Sequence, residues 1–180
     1  DGRKLCRQFF YDEQKRRADR QRLEKIRDTI LREVPGCQVA SDQPYREYDL
    51  AIDFCEDVEP LPRAAVLRIQ RIFEEAGARA KISSIHVNGW FGDFDKLAMV
   101  RRCLAELFGM DADAHSDVFA FCGDSPNDEP LFRFFRNSFG MANILDFADL
   151  LEYPPAYITT LPGGGGFHEV AQRILQARQA

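Results

Sequence analysis

Long apolar runs are the first thing this sequence lacks. Nowhere in its 180 residues does a hydrophobic stretch approach the roughly 20 residues that cross a bilayer as a helix, so a membrane partner is not expected. CxxC spacing is absent as well. The five cysteines (Cys6, Cys37, Cys55, Cys103 and Cys122) are scattered and odd in number. They argue against a zinc site or a disulfide framework and for a reducing, cytoplasmic setting. No Gly-Lys-Ser/Thr follows the run Gly163–Gly166, so it is no phosphate-binding P-loop and reads as a flexible loop before the last helix. Internal repeats and low-complexity tracts are missing. The chain opens on Asp1 without a basic-then-apolar leader, and the natural start is expected to lie upstream.

What is present describes a globular protein. Hydrophobic residues make up 45% and charged ones 29%, with 15 Phe to fill a core. The net charge of −5 is uneven, because residues 1–34 hold eleven Lys/Arg against seven Asp/Glu. A basic segment can mark a nucleic-acid surface. Here the charges are mixed, and Leu23, Ile26, Ile30, Leu31 and Val34 recur at helical spacing. That pattern predicts an amphipathic helix with a solvated charged face, and no nucleic-acid partner.

Pro35-Gly36 stops this helix. Residues 46–54 then alternate, with Tyr48, Leu50, Ile52 and Phe54 on one side and Glu47, Asp49 and Asp53 on the other, as a half-buried strand does. A helix carrying Val66, Ile69, Ile72 and Phe73 ends at Gly77, and residues 80–88 alternate again as one strand. Residues 1–92 therefore read as an α+β unit whose sheet has helices on one side and an open polar face on the other. Residues 93–180 change character. Helices alternate with short apolar strands at 118–122, 138–142 and 156–159, which implies a parallel α/β sheet.

The chemistry-bearing motif lies in Val118–Asp128, with the sequence VFAFCGDSPND. A buried parallel strand delivers its carboxyl end to the crevice where α/β sheets bind ligands. Gly123 permits a tight turn there, and Asp124 and Asp128 offer hard oxygens suited to Mg2+. A plainer reading makes Ser125-Pro126 a helix start, with the aspartates favouring its positive end. Lys96, 28 residues earlier at a helix start, and Gly140-Met-Ala-Asn143 at the next strand's carboxyl end weigh for function.

With these residues the chain resembles the second half of a phosphatase of the haloacid dehalogenase (HAD) superfamily. The likeness is to the group with a large α/β cap, which includes sucrose-phosphate, mannosyl-3-phosphoglycerate, trehalose-phosphate and Cof-type phosphatases. The resemblance implies a partial HAD-like parallel-sheet core at 93–180 and a substrate-specifying cap at 1–92. It makes Lys96 the cation that holds the phosphoryl group and Asp124 a direct Mg2+ ligand. Asn127 and Asp128 complete or buttress the metal site, and Asn143 lies near the phosphate. The cap's open face, with Arg46, Asp49, Ser84, His86 and Asn88, becomes the substrate-binding surface and Trp90 a plate for a sugar ring. The residues alone read more simply as a solvated face, with Trp90 as a packing residue.

One part of the family pattern is missing. An Asp-x-Asp should follow an N-terminal apolar strand and supply nucleophile and general acid. Asp111-Ala-Asp113 precedes the 118–122 strand, and Asp93-Phe-Asp95 runs straight into Lys96, so neither sits at a core strand's end. The expected function is a Mg2+-dependent phosphatase fragment acting on a small phosphorylated metabolite, a sugar or glycosyl phosphate, through an aspartyl-phosphate. Its nucleophile would lie outside this chain, which alone would be inactive. The open edge of strand 118–122 would then be covered by the missing core segment or another chain. The alternatives are a non-catalytic Mg2+- and ligand-binding module and a sugar phosphomutase.

Overall fold

Leu23, Ile26 and Ile30, spaced by three and four residues, form the buried stripe of α1 (Glu13–Glu33). Asp12 opens this helix by accepting a hydrogen bond from the Lys15 N–H at 2.8 Å. The computed structural model describes residues 7 and 9–179; Cys6 lies outside them. The chain divides into two compact units, one of residues 1–81 and 85–92, the other of residues 82–84 and 93–180. Among the described residues no helix is long and apolar enough to cross a membrane.

The first unit is built on four strands, β1 (Gln38–Val39), β2 (Asp49–Asp53), β3 (Arg79–Ile82) and β4 (His86–Trp90), in the order β1-β2-β4-β3. β2 and β4 run antiparallel, with Asp49 opposite Trp90 and Asp53 opposite His86. Helix α2 (Arg63–Glu75) buries Val66, Ile69, Ile72 and Phe73. The Phe73 ring lies where a Cβ at position 89 would be, 2.1 Å from it, so Gly89 is what lets helix and sheet meet this closely.

Two expectations for this unit are corrected. Residues 80–88 are two strands with a turn at 83–85. The Ser83-Ser84 pair hydrogen-bonds readily to local backbone and so favours a turn over a continued ladder. The face of β2 opposite Leu50 and Ile52 is also less open than alternation implies, since Ala51 and Asp53 are 0% and 1% exposed. The Arg46 side chain reaches from before β2 to Asn88, and the loop after β2 folds onto Asp53.

The second unit carries three parallel strands, β5 (Ala120–Gly123), β6 (Asn137–Gly140) and β7 (Tyr157–Ile158), in that order. Helices α3 (Lys96–Phe108), α4 (Glu129–Phe134) and α5 (Gly163–Ala177) accompany them. Gly109, at φ +63°, ends α3 in the left-handed conformation. The rings of Phe121 and Phe132 pack edge to face at 5.6 Å, joining β5 to α4. With an antiparallel sheet in one unit and a parallel sheet in the other, the chain has the mixed α/β architecture that the sequence pattern leads one to expect.

Here too the sequence pattern is corrected at two places. The apolar run at 118–122 was expected to be a buried strand, yet Val118 is 64% exposed and β5 is only half-buried. β5 is an edge strand: among the described residues nothing pairs with its second side. The glycine run is not a loop but the start of α5. A Cβ on Gly166 would meet the Leu161 carbonyl oxygen and Thr159 Oγ1, each at 2.4 Å, so tertiary closeness overrides glycine's poor helix propensity.

Candidate active site

The three parallel strands deliver their carboxyl ends to one place. Gly123 ends β5, and its carbonyl accepts from the Met141 N–H just past β6 (2.9 Å). A Cβ on Gly123 would fall 2.7 Å from Asp128 Oδ2, so the Asp128 carboxylate closes directly over the strand end. Asp128 is 5% exposed. Its Oδ2 accepts from the Asp124 N–H (3.1 Å), with Ser125 Oγ at 3.4 Å, and its Oδ1 accepts from Lys96 Nζ at 2.5 Å. Lys96 also donates to Asn127 Oδ1 (2.9 Å), to which Ser125 Oγ donates as well (2.9 Å). Asn143 Nδ2 donates to Asp124 Oδ2 (3.2 Å), and Asn143 Oδ1 accepts from the Gly163 N–H (3.0 Å).

Lys96, Asp124, Asn127, Asp128 and Asn143 are thus one network, fixed by α3, the β5–α4 turn and the turns after β6 and β7. The division of labour within it is uneven. Both Asp128 oxygens and the Asn127 oxygen are taken by hydrogen bonds, whereas Asp124 is half-buried and its Oδ1 accepts from no described residue. Asp124 is the carboxylate with an oxygen to give, and Asp128 is the group that aims Lys96. Ser125 does not cap a helix with its side chain; its hydroxyl joins the network. A cleft of about 690 Å3 adjoins these groups, walled by Met99, Val100, Phe121 and Phe167. Burial pushes the thiol of Cys122 in its wall upward, which disfavours a thiolate.

A divalent cation would find one available carboxylate here. Among the described residues no group of three or more His, Cys, Asp or Glu is placed to hold a metal. That set fits Mg2+ better than zinc or calcium, because Mg2+ keeps several waters and takes one or two carboxylates together with substrate phosphate. In each Asp-x-Asp pair the second aspartate has other work. Asp95 accepts from the Ala98 N–H at the start of α3 (2.8 Å), and Asp113 pairs with Arg101 (2.6 Å).

The candidates of the first unit are placed differently. Arg46, Asp49 and Asn88 form a second network, with Arg46 Nη1 2.6 Å from Asp49 Oδ2 and 3.3 Å from Asn88 Oδ1. Arg46 also grips Asp42 with two hydrogen bonds of 2.8 Å. These bonds hold the Asp42 carboxyl below the usual carboxylate range. Burial opposes the Arg46 charge, but the two carboxylates outweigh it and push its pKa up. Ser84 lies in the turn between β3 and β4, in the segment 82–84 that groups with the second unit. His86 is buried, its Nε2 2.9 Å from Glu56 Oε2. Sequence reasoning missed Asp42 and Ser125. The Asp42–Arg46 spacing of four across a Pro44 turn was the one available signal for the first.

Asp53, which alternation put on the polar face, closes a loop: its oxygens accept from the N–H groups of Cys55, Glu56 and Asp57 at 2.8–2.9 Å. Burial alone would raise its carboxyl pKa; the three backbone bonds outweigh burial and lower it. Asp53→Asn, which keeps the shape but one oxygen fewer, should cost about 1–3 kcal/mol at neutral pH. A group with a lowered folded pKa stabilises fully above its unfolded value and loses that contribution as pH falls through the folded one. The gap in melting temperature between parent and variant should therefore narrow in acid, below the ordinary carboxyl range. A gap that stays unchanged as pH falls through and below that range would show that the charge of Asp53 contributes nothing.

No family model matches the sequence, and no curated protein matches it as a relative. Solved structures match it by fold. A protein of Thermoplasma acidophilum superposes with a TM-score of 0.57 at 16% identity, over 93% of this chain and 64% of that one. The sucrose-phosphatase of Synechocystis, solved with sucrose and phosphate, does so at 0.57 and 16% identity, over 90% of this chain and 66% of that one. A Streptococcus mutans protein gives 0.58 and 14%, over 87% and 68%. The chain shares its fold with these structures. It spans about two thirds of the length of the structures it matches.

Proposed function

We propose that this chain is the larger part of a Mg2+-dependent phosphatase that hydrolyses a phosphomonoester of a small metabolite, a sugar or glycosyl phosphate. The observation that carries the reading is that Lys96, held by Asp128 and Asn127, borders one cleft with Asp124, whose Oδ1 accepts from no described residue. Phosphoryl transfer needs positioning and charge neutralisation more than any covalent work by the protein. Lys96 supplies a fixed cation for the phosphoryl oxygens, and Asp128 spares it a search through rotamers. Mg2+ bound at Asp124 would offset further negative charge there. Asn143 holds Asp124 in orientation and ties it to the start of α5.

In this reading the nucleophilic aspartate lies outside residues 1–180, in a strand that pairs with the free edge of β5. The sheet face of the first unit selects the leaving group, with Arg46, Asp49 and Asn88 as its polar contacts. His86 and Ser84 act there through structure, the one buried against Glu56 and the other in the turn. The test is phosphate release by the full-length protein from a panel of sugar phosphates and p-nitrophenyl phosphate. Release that stops with a chelator and returns with Mg2+ is expected. No release from any ester would overturn the reading, and return of a hexose 1-phosphate as the 6-phosphate would make the protein a mutase.

A further inference from the structure

A lone arginine on a polar face would suit an anionic group of a substrate. Arg46 is not alone. A guanidinium has five N–H donors, and four of those of Arg46 are in use: two on Asp42, one on Asp49 and one on Asn88. One positive charge thus stands between two carboxylates, leaving the cluster negative. The other cations of this sheet, Arg79 and Lys81, sit on β3, with β4 between them and β2. A carboxylate or second phosphate arriving at Arg46 would have to displace Asp42 or Asp49 and would meet like charge as it did so, a juxtaposition that interfaces use to reject partners.

The groups left over suit hydroxyls. Asp49 keeps its Oδ1 as an acceptor, Asn88 keeps its amide N–H groups, and Arg46 keeps one N–H. Acceptor and donors therefore lie side by side on neighbouring strands, as adjacent hydroxyls of a polyol require. Trp90 is the cross-strand partner of Asp49 and is half-buried, so a large flat apolar surface borders them.

We propose that this cluster receives a neutral, polyhydroxylated leaving group and rejects one bearing a second anionic group, with Asp42 and Asp49 setting that choice by occupying Arg46. The inference rests on the phosphatase reading for its role in selection. Asp42 is a positioning residue that acts through Arg46, and Asp49 both positions Arg46 and contacts the ligand.

Turnover and binding, read separately on the full-length protein, test it. In turnover, kcat/KM for hexose and polyol phosphates should exceed that for 3-phosphoglycerate and phosphoserine by at least about tenfold. Asp42→Asn releases the Arg46 charge and should shift that ratio toward the carboxylate-bearing esters by about tenfold, mainly through KM. Asp49→Asn should shift it the same way and serves if the first variant melts early. In binding, ligand-observed NMR with glucose and with glycerate should show the neutral ligand on the parent and glycerate gaining on the variants. Failure to hydrolyse any ester, with glucose still bound and lost on Trp90→Ala, would refute the phosphatase reading and uphold the cluster's preference. Preference for 3-phosphoglycerate or glycerate by the parent, or ratios that neither variant changes, would overturn the inference.

Discussion

Full-length Asp124→Asn should release phosphate at least about a thousandfold more slowly than the parent while melting at nearly the same temperature. The asymmetry between the two effects follows from the geometry. Asp124 is half-buried and its Oδ1 is not used within the fold, whereas Oδ2 meets one side-chain donor, Asn143 Nδ2 at 3.2 Å. An asparagine of the same shape can keep that one contact by turning its oxygen toward Asn143. It cannot keep the negative charge, which is what a bound Mg2+ would require. Steady-state kinetics with excess Mg2+, alongside a thermal melt, separates the two effects. Normal turnover by the variant would place the chemistry elsewhere.

Residues 1–180 alone should release no phosphate from any ester and should self-associate as concentration rises. The free edge of β5 presents unpaired N–H and C=O groups, and such an edge templates pairing with another chain. Beside it, Met99, Val100, Phe121 and Phe167 wall the 690 Å3 cleft with apolar surface. Val118, Leu107 and Phe108 are exposed nearby in the chain. Sedimentation at several concentrations should show association, and Phe121→Lys should suppress it without unfolding the first unit. Mg2+-dependent turnover by these 180 residues would mean that the nucleophile is inside the chain. Asp93 and Asp95 would then be the first to reconsider.

The parts of this architecture that sequence revealed are those set by local chemistry. Glycine between an apolar strand and GDSPND's polar residues marked the strand end at 123, and Gly109 marked the stop of α3. What remained hidden depended on neighbours in space. The run 118–122 has the composition of a buried strand, but burial needs a partner on each side and β5 has one. Alternation continued through 80–88 although the chain turns at 83–85, because the residues on either side of the turn keep the same polar and apolar order. Nothing in the spacing of Asp124 and Asp128 showed that the second would be consumed by Lys96. Arg46 looked available because the carboxylates that claim it come from before and after it in a turn whose shape no pattern predicts.

The close seat of Phe73 against Gly89 has a consequence for how this protein can diverge. With the ring 2.1 Å from where a side chain at 89 would begin, neither position is free to change by itself. A larger residue at 89 requires a smaller one at 73, and a smaller residue at 73 leaves a hollow that only a side chain at 89 can refill. Heredity therefore treats the two as one site. An ancestor could reach a different pair only through an intermediate that is either overfilled or hollow, so the helix–sheet joint of the first unit is held in place by the difficulty of the path as much as by the strength of the contact.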